Sequence, residues 1–174
     1  MRVIRGKKHD YLGMNLDCTK PGKVKVDMID CTVKMAEDFP CQKELGTNKM
    51  QTPAAKHSFQ TRDTTEISKE KAEVFHTWVA KGLFLCQRSR SDIQTAIAFS
   101  CTRVKNPDED DWKKLIRLIC HLKSTKHLFL TLEANNLKDA TWWADAAFAV
   151  HPDMKSVSRK QKLNTKSSAQ AELV

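Results

Sequence analysis

Asp108-Glu109-Asp110-Asp111-Trp112-Lys113-Lys114-Leu115-Ile116-Arg117-Leu118-Ile119-Cys120-His121-Leu122-Lys123 is the stretch from which the fold can be read. Trp112, Leu115, Ile116, Ile119 and Leu122 recur at i, i+3, i+4, i+7 and i+10, the spacing of one face of an α-helix. Acidic residues Asp108 to Asp111 crowd its start and Lys123 stands near its end, the polarity that a helix dipole favours. A helix of this kind must bury its stripe against neighbours, and the preceding residues supply them.

Asn106-Pro107-Asp108 breaks the chain upstream. Before the break, Ser91 with Asp92 opens a helix carrying Ile93, Ile97 and Cys101 on one stripe, with Ala96 and Ser100 beside it. Earlier still, Ser68 caps a helix with Val74, Phe75, Trp78, Val79, Gly82, Leu83 and Cys86 on its apolar faces. The three helices predict a core over residues 68–124, with Trp78, Leu83, Ile97, Trp112, Ile116 and Ile119 buried. Towards the N-terminus, residues 10–18 (DYLGMNLDC) and 23–29 (KVKVDMI) are strand-like runs separated by Pro21-Gly22, which predicts a β-hairpin. Residues 30–39 read as a short helix closed by Pro40, and residues 41–66 as a polar, poorly ordered loop or linker. After Lys126 the period changes: Leu128 to Leu132 and Thr141 to Val150 read as strands joined by a polar loop at Asn135-Asn136. From Lys155 onward apolar residues are scarce, and little order is expected. The fold class is α+β with a mostly helical middle.

The 174 residues carry a formal charge of +9 with a pI near 9.3, so polyanions are the default partners. Nucleic acid comes first, because Lys and Arg gain affinity by releasing counterions from phosphates. A membrane surface has less support, since no polybasic cluster abuts an apolar segment; a well-solvated basic protein is the plainer alternative. Six cysteines form no C-x-x-C pair and no zinc-spaced ladder. Cys86, Cys101 and Cys120 read as small core hydrophobes. The setting implied is reduced and intracellular, cytoplasmic or nuclear. The N-terminus lacks the apolar core of a signal peptide, and no run is long enough to span a bilayer.

Lys113, Lys114, Arg117 and His121 lie away from the stripe of the 108–123 helix, and Lys123 and Lys126 extend the basic surface. Such a face can track a phosphate backbone; the commoner outcome of the pattern is an ordinary solvated face. The six histidines are scattered without a His-x-x-x-His pair, and no serine has a nucleophile-elbow context. Asp145 interrupts the apolar run Trp142-Trp143-Ala144-Asp145-Ala146-Ala147-Phe148. A carboxylate there stands either on a solvent face, the commoner case, or at a site such as a metal centre.

Taken in order, these segments resemble the Pol polyprotein of copia-type LTR retrotransposons. Tyr11-Leu12-Gly13-Met14 resembles the strand after the reverse transcriptase palm, and Thr52-Pro53 the family's Thr-Pro element. Phe75-His76 through Leu83-Phe84-Leu85 resembles its Tyr-Arg…Leu-Leu-Tyr-Leu helix. Ser89-Arg90-Ser91-Asp92-Ile93 resembles Thr-Arg-Pro-Asp-Ile, with Ser91 in place of Pro, and His121-Leu122-Lys123-Ser124-Thr125 resembles Tyr-Leu-Lys-Gly-Thr, with Ser124 in place of Gly. Asp145-Ala146 with His151-Pro152-Asp153-Met154-Lys155-Ser156, and then Ser167-Ser168-Ala169-Gln170-Ala171-Glu172-Leu173, resemble parts of RNase H.

The resemblance implies that residues 1–137 correspond to the C-terminal part of a reverse transcriptase, with a post-palm hairpin and thumb- or connection-like helices. Residues 138–174 would be a truncated RNase H start with an incomplete β/α element. It also implies that Asp145 and Glu172 match two of the metal-binding, catalytic carboxylates, which in the parent enzyme hold Mg²⁺. No cofactor is expected in this chain. The polymerase Tyr-x-Asp-Asp box would belong upstream of residue 1, the remaining RNase H carboxylates beyond Val174, and a Thr-Gly-rich turn and strand between Ser156 and Val157 is missing. The expectation is a Pol remnant with weak, non-specific RNA or DNA binding through Lys113, Lys114, Arg117, Lys123 and Lys126, and without autonomous catalysis. The alternatives are a working Pol subunit completed by other Pol segments and a domesticated protein-interaction module.

Overall fold

A computed structural model describes residues 6–46, 49–62 and 64–134. The chain divides into two units, Met1–Asn135 and Asn136–Val174, and the described residues lie in the first. The strand expected over 141–150, the RNase H-like element and the tail beyond Lys155 all fall outside the described residues.

The first unit combines a small antiparallel sheet with a helical body, in agreement with the α+β reading. Strands β1 (Lys8–Tyr11), β2 (Met14–Asp17) and β3 (Lys23–Asp27) form a meander, and β4 (Leu130–Glu133) adds to β3 from the far end of the unit. The run 10–18, expected as one strand, is broken in two by a tight turn. Leu12 and Gly13 both take positive φ, 50° and 75°, and Tyr11 pairs directly with Met14. Positive φ at both central residues matches the right-handed twist of two short strands, even though leucine is a poor occupant of that conformation. The second turn is as expected: Lys23 N–H donates to Lys20 O at 3.1 Å around Pro21-Gly22, with Gly22 at φ 73°. Alternation along β3 sends Val26 into the core and Lys23 and Lys25 to the other face.

Helix α1 (Ile29–Glu37) ends before Pro40, and the short α2 (Gln42–Leu45) follows. Helix α3 (Lys69–Cys86) starts where Ser68 accepts from Lys71 N–H. A 3-10 turn (Ser91–Ile93) leads into α4 (Gln94–Arg103), and α5 (Glu109–Ser124) completes the body. The start of α5 is fixed by a reciprocal cap: Asp111 N–H donates to Asp108 Oδ1 at 2.8 Å, and Asp108 N–H to Asp111 Oδ2 at 3.3 Å. Arg103 Nε, 2.9 Å from Asp111 Oδ2, ties α4 to this cap.

Phe39 sits at the centre of the core, edge-on to Trp78 at 5.5 Å and 5.9 Å from Trp112. Such aromatic pairs add to the stabilisation from area burial alone. The Trp78 indole N–H donates to Met35 O at 3.1 Å, which lets a large half-polar ring be buried. Of the residues expected in the core, Trp78, Ile97, Trp112 and Ile119 are buried and Ile116 is half-buried. Two expectations are corrected. Leu83 is 38% exposed, because α3 is apolar on more than one side and buries only the side carrying Phe75, Trp78, Val79 and Gly82. Cys101 is exposed on the outer face of α4, whereas Cys86 and Cys120 are buried.

Residues 41–66 are not a free linker. Glu44 accepts from the Trp112 indole N–H at 2.7 Å, Cys120 Sγ donates to Leu45 O at 2.9 Å, and Met50 N–H donates to Ser124 Oγ at 3.3 Å. Leu45 is buried beneath them. The segment looks patternless because its anchors are mostly polar and main-chain groups, which leave no hydrophobic period. Among the described residues, no helix is long and apolar enough to cross a membrane.

Candidate nucleic-acid interface

The five basic residues expected to form one surface are divided between two places. Lys123 and Lys126, both exposed, flank a shallow cleft shared with Glu37 and Gln42. Lys113, Lys114 and Arg117 line a different cleft, under the loop of residues 52–62. The cause is geometric: ten residues along a helix advance about 15 Å and leave position 123 roughly 80° round the axis from position 113.

The second cleft has a volume of about 260 Å³, with Arg62, His57 and Ser58 opposite Lys113, Lys114 and Arg117. Its cations are not equivalent. Lys114 is held in place: its Nζ lies 2.8 Å from Asp110 Oδ2 and 3.7 Å from Asp111 Oδ1, donates to Gln60 O at 2.8 Å, and stands 4.6 Å from the centre of the Phe99 ring. Arg117 Nη2 donates to Thr52 Oγ1 at 3.0 Å, while its buried Nε has no hydrogen-bond partner. Lys113 and Arg62 are exposed, and among the described residues neither has a carboxylate partner. The cleft therefore offers two cations free of carboxylates among the described residues, a half-buried guanidinium whose Nε is covered, and a lysine whose own charge is already balanced. That set suits a phosphodiester: point charges at the rim and a planar donor set at the base.

Arg62 and His57 escaped the sequence reading because they lie in the loop taken for a linker. His121, by contrast, is absent from any basic surface. It is 3% exposed, with Nε2 2.9 Å from Asp92 Oδ2 and Nδ1 3.0 Å from Met50 O. The loop at Met50 and the turn at Asp92 cover the side of α5 opposite its stripe, so Leu118, Ile119, Cys120, His121 and Leu122 are all buried in succession.

Asp92 belongs to a structural knot. Arg90, only 1% exposed, makes paired bonds to it, Nε to Oδ1 and Nη2 to Oδ2, both at 2.8 Å. Arg90 also donates to Thr125 O at 3.2 Å and Thr125 Oγ1 at 2.7 Å. Burial alone would raise the Asp92 carboxyl; the hydrogen bonds from Arg90 and His121 outweigh it and hold the group well below the usual carboxylate range.

The sheet carries no surplus of charge on its polar face: Lys8 pairs with Asp17 at 3.8 Å, Lys23 with Glu133 at 2.8 Å and Lys25 with Asp27 at 3.5 Å. Among the described residues, no group of three or more His, Cys, Asp or Glu could hold a metal ion. Asp145 and Glu172 lie outside the described residues. No family model, curated protein or solved structure matches the chain. The likeness to copia-type Pol rests on the ordered motifs in the sequence.

Proposed function

We propose that this chain derives from a copia-type Pol polyprotein and binds nucleic acid weakly and without sequence preference through the cleft between the 52–62 loop and α5. The observation that carries the binding is the convergence of Arg62, Lys113 and Arg117 on one cleft, with Arg62 and Lys113 free of carboxylates among the described residues. Contacts of this type grip phosphates and read no bases, so affinity falls with the logarithm of salt concentration. The derivation rests on the ordered motifs of the sequence; two of their segments meet in the fold, where Arg90 of Ser89-Arg90-Ser91-Asp92-Ile93 bonds Thr125, the last residue of His121-Leu122-Lys123-Ser124-Thr125, across 35 positions. In this reading those segments are structural ties, and the RNase H part, lacking an internal strand between Ser156 and Val157, does not catalyse by itself.

The test uses labelled single-stranded oligonucleotides and RNA–DNA hybrids at several salt concentrations. Arg62→Ala with Lys113→Ala should weaken binding about tenfold at low salt and lower the salt slope by roughly two, one per lost phosphate contact, with the circular dichroism spectrum unchanged. Binding by the double variant equal to that of the parent would overturn the assignment. Lys114→Ala is a poor probe, because it also removes the cation paired with Asp110 and one of the two paired with Asp111.

A further inference from the structure

On a different face of the helical body, α1 and α3 leave an apolar groove of about 600 Å³ between them. Its floor is Met35, Leu85 and the small residues Cys31 and Ala80; Phe84, 43% exposed, forms one wall. Positions 31, 34 and 35 of α1 and its C-cap Asp38 face positions 80, 81, 84 and 85 of α3, so two helical ridges border a furrow, the geometry into which a third helix packs. Leu83, next to Phe84 and also exposed, extends the apolar surface.

The rim decides what fits. Lys34 and Lys81 stand along it, and Arg88 lies flat on the Phe84 ring at 3.7 Å while donating to Phe84 O at 3.0 Å. Lys81 Nζ sits 4.0 Å from the centre of the Trp78 ring. None of these three cations has a carboxylate partner among the described residues, and the groove's own acid is Asp38. The lining itself carries Lys34 and Lys81 against Asp38, a net +1 around an apolar floor, and Arg88, outside the lining, adds a positive charge at the Phe84 wall. A second copy of this chain is a poor occupant, because it brings a further +9 to a basic rim. A phosphate backbone is poor too, since it has nothing to offer Met35 and Leu85.

We propose that this groove docks an acidic amphipathic helix of a partner protein. Aliphatic or aromatic residues at i, i+3 or i+4 and i+7 fill the furrow, and flanking Glu or Asp residues pair with Lys34, Lys81 and Arg88. The site is separate from the nucleic-acid cleft and does not depend on it.

The experiment titrates the full chain against a fluorescent, helix-forming synthetic peptide with Leu at i, i+4 and i+7 and Glu on its flanks. A counterpart peptide carries Lys in place of each Glu. The acidic peptide should bind and the basic one should not. Ala80→Arg, which fills the furrow from an exposed position, should weaken binding about tenfold or more, and Lys34→Glu with Lys81→Glu should do the same. Circular dichroism and oligonucleotide affinity, measured on the same samples, should stay at parental values, so that loss of fold is not mistaken for loss of docking. Equal binding of both peptides, no binding of either, or indifference to Ala80→Arg in a folded protein would each overturn the proposal. So would self-association that Ala80→Arg abolishes, which would make a second copy the occupant.

Discussion

Arg90 is buried, and among the described residues Asp92 is the carboxylate that balances its charge, from a position that is itself open to solvent. Breaking a fully buried ion pair costs about 3–5 kcal/mol, and water on the Asp92 side reduces that to roughly 1–3 kcal/mol here. Asp92→Ala should therefore lower stability by about that reduced amount in urea unfolding, and an unchanged midpoint would contradict the role given to Arg90. The same pair sets an acid limb. Because the folded-state pKa of Asp92 is depressed, its stabilisation is complete above the ordinary carboxylate value of about 4. It is lost as pH falls from there towards the depressed value, since the unfolded chain takes up the proton first. Unfolding midpoints followed from pH 6 downward should fall in the parent and fall less in Asp92→Ala. Little of this was legible beforehand. Arg90 and Asp92 were noticed as motif residues and Asp92 as a helix opener, because partners 35 and 29 positions away leave no local pattern.

Among the elements, α3 and α4 approach closely at Gly82, where a Cβ would overlap Ile97 Cδ1. Ile97 is fully buried, so its Cδ1 can move aside only if the packing around it gives. Gly82→Ala gains roughly 1 kcal/mol in helix propensity but meets overpacking of roughly 1–3 kcal/mol, so a net loss is expected. Ile97→Val deletes the offending methyl, and in that background Gly82→Ala should be neutral or stabilising. A double-mutant cycle without coupling would show that the helices are not in contact there. The helices themselves were readable from sequence, since the Ser68 cap, the Asn106-Pro107-Asp108 break and the stripe from Trp112 to Leu122 are local signals. What was not readable is how far α5 is wrapped. A stripe predicts one buried side, whereas Glu44, Leu45, Met50 and the Ser91–Ile93 turn pack on other sides and take His121 out of the basic face. The candidate cleft was half legible for the same reason: Lys113, Lys114 and Arg117 came from helix periodicity, but Arg62 came from a loop with no period at all.

For the whole molecule, the proposal of a non-catalytic Pol remnant makes an expectation of its own. The complete chain, supplied with Mg²⁺ or Mn²⁺, should neither extend a primer nor cut the RNA strand of a hybrid, because Asp145 and Glu172 alone are too few ligands for two hydrated ions that demand near-octahedral geometry. Hybrid cleavage present in the parent and lost in Asp145→Asn would sink that reading. The architecture also bears on how the chain is made. β3 pairs with β4 from Lys23↔Glu133 to Val26↔Leu130, and Ala134 N–H closes on Gly22 O at 3.0 Å. After Asp27 the ribosome must add 103 residues to reach Leu130. At about 5–20 residues per second, the three-stranded meander waits roughly 5–20 s with one edge open. During that interval Val24 and Val26 lie on a strand whose outer edge is unpaired, the kind of edge that recruits foreign strands. The newborn chain is thus most exposed to misassembly before β4 leaves the ribosome, and nascent-chain holdases would matter more to its yield than the stability of the finished fold.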